Sequence, residues 1–505
     1  MLRTVTKTTQ LNDQMTYLDK LMNDSTFSLQ SGQHIHLVGI GGAGISAIAR
    51  VLLGRGFTVT GSDANQNKLT DGLKAEGATI FVGHDVSHIE GADLLVISSA
   101  IPANNPEVEA AQKANIPVLK RSDFLGQLMA NKIGIAIAGS HGKTSTTGMV
   151  SHILMAAELD PTVVVGGILP SLGTNGRFGQ GDYFVIEADE YDHMFLGLRP
   201  EVAIITNLEH DHPDIYPTKE TYESAFRQFI DLLPNGGRLI ACQDDAGIEQ
   251  MLHQLKRPDL EITTYGIAND DKSVPPDYQA LDLRPNQLGG TDFLVETEGD
   301  ILGLMRLRVP GEHNVLNGLA AIIAALDVGV DFIHIQKALA EFGGVGRRFQ
   351  LVGDVGNVAI IDDYAHHPTE IKATLAAAKQ RYGGRNVWAV WQPHTYSRTK
   401  LLQDEFATAF GDADRVIGLD IFPSRETDTL GMNTAVIFNK MSHPNAQHIP
   451  TREDAAAYIL DRIRPGDVVL TLGAGDGNAV GQWVLEGLQK RLNPKEEGRG
   501  KKEEL

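Results

Sequence analysis

The chain has 505 residues, 42% of them hydrophobic and 21% charged, with a formal net charge of −20 and one cysteine, Cys242. That length exceeds a single hydrophobic core and predicts about three domains, while the acidic balance argues against nucleic acid or an anionic membrane surface as partner, since both demand positive charge. One cysteine allows neither an internal disulfide nor a cysteine-built metal site and fits a reducing, cytoplasmic setting; no stretch is apolar enough for a secretory signal or a membrane-inserted helix.

Residues 1–31 are polar without a clear period and are expected to form a mobile N-terminal arm. A first unit, 32–131, then alternates strand and helix: "HIHLVGI", "FTVTGSD", "ADLLVISSAI" and "IPVLKR" read as strands, with the helix "ISAIARVLLGRG" after the first. Alternation of this kind predicts an α/β fold with a parallel sheet. A second unit, 132–346, contains the strands "KIGIAIAG", "YFVIEADE", "VAIITNLEHDH" and "LIACQDD", then a polar stretch at 269–300 expected to hold turns and short antiparallel strands, then a buried helix from about 314. A third unit, 347–491, has four more strands, "NVAIIDDYA", "NVWAVWQ", "RVIGLDIF" and "DVVLTLGAG", and residues 492–505 are expected to be a disordered tail.

Gly39, Gly41, Gly42 and Gly44 lie in a G-x-G-x-x-G segment between a predicted strand and a predicted helix. Such a turn lets the backbone and a helix N-terminus approach a pyrophosphate, and Asp63, ending the next strand, stands where a ribose-binding acid would sit. The motif indicates a dinucleotide or a nucleotide diphosphate without choosing between them. In the second unit, "AGSHGKTSTT" ends as a phosphate loop does, with Gly142, Lys143 and Thr144, but has Ile137 where the usual spacing needs glycine; Gly139 is the nearer one. Lys143 can neutralise phosphates and the Thr144 hydroxyl can face Mg²⁺. The acidic ends of two later strands, Glu187–Glu190 and Asn207–His212, converge on that loop in a parallel sheet, so Thr144 and Glu187 can hold one ion and His212 a second. Asn317, with His313 and Asn314, opens the buried helix, where an amide can read an adenine edge or simply cap the helix. In the third unit His366, His367, His394 and Arg398 follow strands and are expected to form a cationic lip on an acidic protein, with Arg398 suited to a carboxylate.

Taken together, "HLVGIGGAGIS", "GSHGKTS", "EADEYD", "TNLEHDHPDIY", "PGEHNVLNGLAA", "GVGRRFQ", "DDYAHHPTEI" and "QPHTYSRT" resemble the Mur ligases of bacterial cell-wall synthesis, from about residue 34 to about 480. The resemblance implies three domains: a Rossmann-like N-terminal domain for the UDP part of a sugar nucleotide, a central phosphate-loop ATPase domain, and a Rossmann-like C-terminal domain for the amino acid. It implies that the glycine turn, with His84, Ser98 and Arg121, binds the UDP-sugar. It matches Gly139, Ser140, His141, Gly142, Lys143, Thr144 and Ser145 to the ATP loop, Glu187 and His212 to magnesium ligands, Asn317 to an adenine contact, and Tyr364, His366, His394 and Arg398 to the amino-acid end. Lys143, Glu187, His212, His366 and Arg398 are then expected to carry the chemistry, with ATP and Mg²⁺ (or Mn²⁺ as a substitute) as cofactors. The branch it is most similar to joins L-alanine to UDP-N-acetylmuramate through an acyl phosphate, as a monomer or weak homodimer. Thr395 stands where many relatives carry arginine, and Tyr191 where many carry serine; a tyrosine there also marks the ligase that reattaches a recycled L-Ala-γ-D-Glu-meso-diaminopimelate tripeptide. Two further alternatives are a nicotinamide-dependent oxidoreductase built on the glycine turn and a non-catalytic nucleotide-binding relative.

Overall fold

The computed structural model describes residues 29–269 and 274–492. Apart from residues 29–31 and 492, the expected N-terminal arm and C-terminal tail lie outside the described residues. Three sheets follow one another along the chain. The first holds β1 (His34–Val38), β2 (Thr58–Asp63), β3 (Thr79–Val82), β4 (Leu94–Ile97) and β5 (Val118–Lys120), all parallel, in the order β3-β2-β1-β4-β5. Of the central strands, β4 is a continuous apolar run and β1 is buried from Ile35 to Val38, because helices cover both faces of a parallel sheet.

The second sheet has ten strands. β6 (Ile133–Ala138), β7 (Thr162–Leu169), β8 (Thr174–Arg177), β9 (Tyr183–Glu187), β10 (Val202–Ile205), β11 (Arg238–Cys242) and β12 (Glu261–Ile267) are joined by β13 (Tyr278–Pro285), β14 (Thr291–Thr297) and β15 (Asp300–Arg306), in the order β15-β14-β13-β12-β11-β10-β6-β9-β7-β8. The stretch expected to hold short strands instead builds a three-stranded antiparallel extension with strands of seven or eight residues. Its polar look has a simple cause: one face packs inward through Phe293, Val295 and Met305, and the other meets water. β7 escapes a sequence reading because Gly166 and Gly167 resemble a turn. The glycine is needed for proximity: a Cβ on Gly166 would lie 2.8 Å from Glu187 Oε2, whose oxygen accepts the Gly166 N–H at 2.7 Å.

The third sheet comprises β16 (Gln350–Val355), β17 (Val358–Asp363), β18 (Val387–Trp391), β19 (Arg415–Gly418), β20 (Ala446–His448) and β21 (Val468–Leu472), in the order β16-β17-β21-β18-β19-β20, with only β16 antiparallel. Its two faces carry separate apolar clusters, around Trp391 and Phe406 on one side and Trp388 and Ile459 on the other. The first two units instead share one core. Helix Ala43–Gly54 is buried along most of its length, and Asn175 ties it to the second unit by donating to the Ala43 carbonyl at 2.7 Å while accepting from Arg50 at 2.8 Å. Among the described residues no helix is long and apolar enough to cross a membrane.

Candidate active site

β6 runs into the loop Gly139–Gly142, and Gly142, in the left-handed region at φ +81°, starts helix Lys143–Ala156. The N-terminal amides of that helix and its dipole face the loop, which is the geometry of an anion site. Lys143 is folded back: Nζ donates to the carbonyls of Gly139 and Ser140 and to Glu190 Oε1 at 3.0 Å. Burial works against its charge, but Glu190 outweighs that and raises its pKa, so the lysine stays cationic. The Thr144 hydroxyl donates to Glu187 Oε1 at 2.9 Å. Asn317 braces the loop, accepting from the Thr146 hydroxyl at 3.1 Å and donating to Asn314 Oδ1 at 3.2 Å. A cavity beside the loop is bordered by His141, Gly142, Ser145, His313, Asn314 and Asn317.

In the first unit Gly39, Asp63, His84 and Ser98 all stand just at or past the carboxyl ends of adjacent parallel strands. The Asp63 carboxylate accepts the N–H of Gly41 at 2.9 Å and of Asn65 at 3.1 Å, which holds the glycine turn closed. Arg121 crosses over the turn; a Cβ on Gly44 would lie 1.7 Å from its guanidinium, so any larger residue there would push the arginine aside. The same arginine donates to Asp189 Oδ2 at 2.9 Å, reaching the second unit.

Behind this turn, fully buried Glu107 gathers its surroundings. Its oxygens accept from the Ser62 hydroxyl at 2.5 Å and lie 2.7 Å from His88 Nδ1 and 3.3 Å from His84 Nδ1. Burial would raise its pKa, but nearby His36 and hydrogen bonds from Ser62 and His88 outweigh that and bring it down to about 2. A depressed carboxylate stabilises the fold above its unfolded pKa, and that stability is lost as pH falls through about 4.5 toward 2. The shift corresponds to roughly 3 kcal/mol. Glu107→Gln is therefore expected to be less stable than the parent in urea at pH 7, with the difference shrinking as pH drops toward 3; a difference that is flat with pH would show that the carboxylate charge is not what matters.

The third unit contributes Tyr364, His366, His394 and Arg398. Arg398, with its side chain 4% exposed, donates through Nε and Nη2 to Asp211 Oδ1 at 2.9 Å each. Its other contacts are His394 Nδ1 at 3.3 Å and His212 Nδ1 at 3.5 Å. The expected cationic lip needs correcting. Burial pushes His366 down to about 4 and His394 to about 3, and it lowers His367 as well, so near neutral pH the positive charge rests on Arg398 alone among these four. Desolvation, which disfavours the charged form, is the reason clustered histidines are a poor guide to charge. His212, at φ +54°, and Thr395, at φ +66°, flank Arg398 in strained backbone, and the β-branched Thr395 is the more unusual of the two.

One cleft of about 1200 Å³ connects these parts, from Gly44 and Arg121, past Lys143, Thr144, Glu187 and His212, to Tyr364, His366, His394 and Arg398. That is more room than the about 300–1,000 Å³ of a single small-molecule pocket. Three family models match successive parts of the chain: the Mur ligase family catalytic domain at 34–133, the Mur ligase middle domain at 137–325, and the Mur ligase glutamate ligase domain at 347–475.

The chain belongs to the Mur ligase family.

Among curated Mur ligases it is 44% identical to the UDP-N-acetylmuramate–L-alanine ligase of Koribacter versatilis, over 91% of this chain and 98% of that one. It is 43% identical to the enzyme of the same name from Geotalea uraniireducens, over 91% and 99%. The solved UDP-N-acetylmuramate–alanine ligase from Thermotoga maritima superposes with a TM-score of 0.77 at 29% identity, covering 91% of this chain and 99% of that one. A murein peptide ligase from Psychrobacter arcticus gives 0.69 at 28% identity, covering 90% and 99%. Membership removes the oxidoreductase reading of the glycine turn. Sequence reasoning missed Glu190, the partner of Lys143; Asp211, the partner of Arg398; and Arg348, whose Nη2 donates to the Thr144 hydroxyl at 3.3 Å. All three lie in quoted stretches ("EADEYD", "TNLEHDHPDIY", "GVGRRFQ"), so a signal was present. What the sequence did not show was which charge each would face.

Proposed function

We propose that this chain joins L-alanine to the lactyl carboxylate of UDP-N-acetylmuramate, with ATP converted to ADP and phosphate. The single cleft lined by all three units carries this reading, because three substrates that must meet need one continuous site. Residues 32–131 would hold the sugar nucleotide, 132–346 the ATP and 347–491 the amino acid. A free carboxylate acylates poorly, so the lactyl carboxylate first takes the γ-phosphoryl group; the alanine amine then attacks the acyl carbon and phosphate leaves. Lys143 moves from Glu190 to the transferring phosphoryl group, where positioning and charge neutralisation do most of the catalysis. Arg398 orients the alanine carboxylate, with His366, His394 and Tyr364 around it. Enclosure between the units keeps water from the acyl phosphate.

Thr144 and Glu187 suit Mg²⁺, since their paired oxygen donors are the hard ligands that this ion takes. His212, the third residue the family resemblance matches to the metal, offers a nitrogen rather than an oxygen donor, and Mn²⁺ takes the same oxygen ligands as Mg²⁺. When bound, the ion neutralises phosphate charge. Buried Cys242, whose thiol is pushed up to about 12 mainly by burial, is inert in a reducing cytoplasm, where we place the protein.

The test is phosphate release with ATP, Mg²⁺ and UDP-N-acetylmuramate. L-alanine is expected to drive it. Release driven only by the L-Ala-γ-D-Glu-meso-diaminopimelate tripeptide would instead assign the recycling reaction and direct attention to Tyr191, whose ring edge meets His212 at 5.0 Å.

A further inference from the structure

Glu370 lies in the first turn of helix Pro368–Arg381, in the third unit. Its Oε2 accepts the N–H of His366 at 2.9 Å and of His367 at 3.2 Å, so it shapes the loop that carries the amino-acid pocket. Its Oε1 points the other way, 3.2 Å from Nδ1 of His141 on the phosphate loop. The second ring nitrogen of His141, Nε2, is 3.0 Å from Glu209 Oε2 in the second unit. Glu209 Oε1 accepts the Thr369 hydroxyl at 2.8 Å, which returns the chain of contacts to the third unit.

A neutral imidazole has one N–H, and only the cation has two. Both ring nitrogens of His141 lie within ion-pair distance of a carboxylate, Nε2 in hydrogen-bond geometry with Glu209 and Nδ1 as a close ion pair with Glu370, and the two negative charges favour the imidazolium. Burial opposes that charge, but Glu370 and Glu209 outweigh it and raise the pKa to about 9. The other titratable or charged groups facing the bridge include His366, with Nδ1 3.3 Å from Glu370, His367, whose ring centroid is 4.8 Å from that of His141, Arg348, 3.8 Å from Glu370, and His313 and Asp363, which also feel the Glu370 charge. His141, Glu209 and His367 also bring one donor atom each within 4.8 Å of one another, but a doubly protonated His141 has no lone pair to give a metal. The His141 backbone is pinned separately within the second unit: its N–H donates to Asn207 Oδ1 at 2.7 Å, and its carbonyl accepts from Thr206 and Asn207. The side chain alone therefore crosses between units.

We propose that Glu370 is a positioning residue that acts through His141, an ionic clasp by which docking of the amino-acid domain sets the phosphate loop. The clasp rests on the ligase reading above and extends it: nucleotide and amino acid sites become energetically coupled, so that the loop is fully shaped only when the domain bringing the acceptor is in place.

A double-mutant cycle on the full chain tests this, with His141→Gln, Glu370→Gln and both together. It is read in kcat/KM for L-alanine and, independently of any acceptor, in Kd for ADP. Each single change is expected to cost roughly 10-fold or more, and the double change no more than the worse single one, because residues in one ion-pair network are not additive. KM for UDP-N-acetylmuramate is expected to stay within about twofold, which loss of fold would not allow. Effects that multiply in both readouts would overturn the clasp, as would a matching rise in KM for the sugar nucleotide. Should Glu370→Gln fold poorly, Glu370→Asp with His141→Asn runs the same cycle. Absence of alanine-dependent turnover in the unmodified chain bears on the ligase reading alone, since the ADP readout still decides the clasp.

Discussion

Lys143→Ala is expected to lower kcat for ATP-dependent ligation by about 10³-fold or more, while binding of UDP-N-acetylmuramate changes by less than about twofold. Among the described residues the lysine's hydrogen bonds go to Gly139, Ser140 and Glu190, all around the loop, rather than to the first unit. Removing it also leaves Glu190, 1% exposed, facing an anionic phosphate without its cation. Burial, until now outweighed by Lys143 and His212, then raises the Glu190 pKa. Activity that the variant retains should therefore improve as pH falls, because protonating Glu190 removes the repulsion. Single-turnover phosphate release over a pH series, with equilibrium binding of the sugar nucleotide alongside, checks both parts. Full activity in the variant would mean that this loop does not bind the transferring phosphate.

Arg398→Ala is the second change with a large expected effect, and it acts on affinity and on stability together. The guanidinium would meet the alanine carboxylate, so KM for L-alanine should rise by about 100-fold or more, as for other charge-assisted pairs. Its partner Asp211 would be left buried with only His212, 3.7 Å away, as an opposite charge, a loss of about 3–5 kcal/mol for a pair of this kind. In the parent chain burial would raise the Asp211 pKa, but Arg398 outweighs it and holds the carboxyl well below its usual value. That contribution is present above the unfolded pKa near 3.8 and lost only as pH falls through the folded one. In the variant burial acts unopposed by Arg398, so its stability deficit in urea should be largest near neutral pH and shrink on acidification. Arg398→Lys, which keeps the charge but not the fork, should recover stability more than it recovers KM. An unchanged KM for L-alanine in Arg398→Ala would remove Arg398 from the amino-acid pocket.

Much of the molecule was legible in its order of residues. Local signals carry their own physics: a strand, a glycine turn and a helix in succession need only short-range geometry, so the glycine turn at Gly39 and the phosphate loop could be placed before any contact was known. Strand carboxyl ends collect ligands in parallel sheets, and that rule alone put Glu187 beside Thr144, now 2.9 Å apart. The strands that escaped notice include β12 and β16, of seven and six residues, and two other kinds. Short ones such as β3, β8 and β20 have three or four residues, too few for a period, and β7 contains glycines required by a neighbour rather than by a turn.

The sequence by itself determined the α/β class, the succession of three units, the glycine loop ahead of helix Lys143–Ala156 and the family. These rest on patterns a few residues long and on the order in which they occur. Only the tertiary structure decided how charge is distributed. Arg398 meets Asp211 across 187 residues, Thr369 meets Glu209 across 160, and Ser62 meets Glu107 across 45. Whether a histidine is neutral, like His394, or a cation, like His141, depends on burial weighed against the nearest carboxylates. Both are set by distance in space, and a linear order of residues does not contain it.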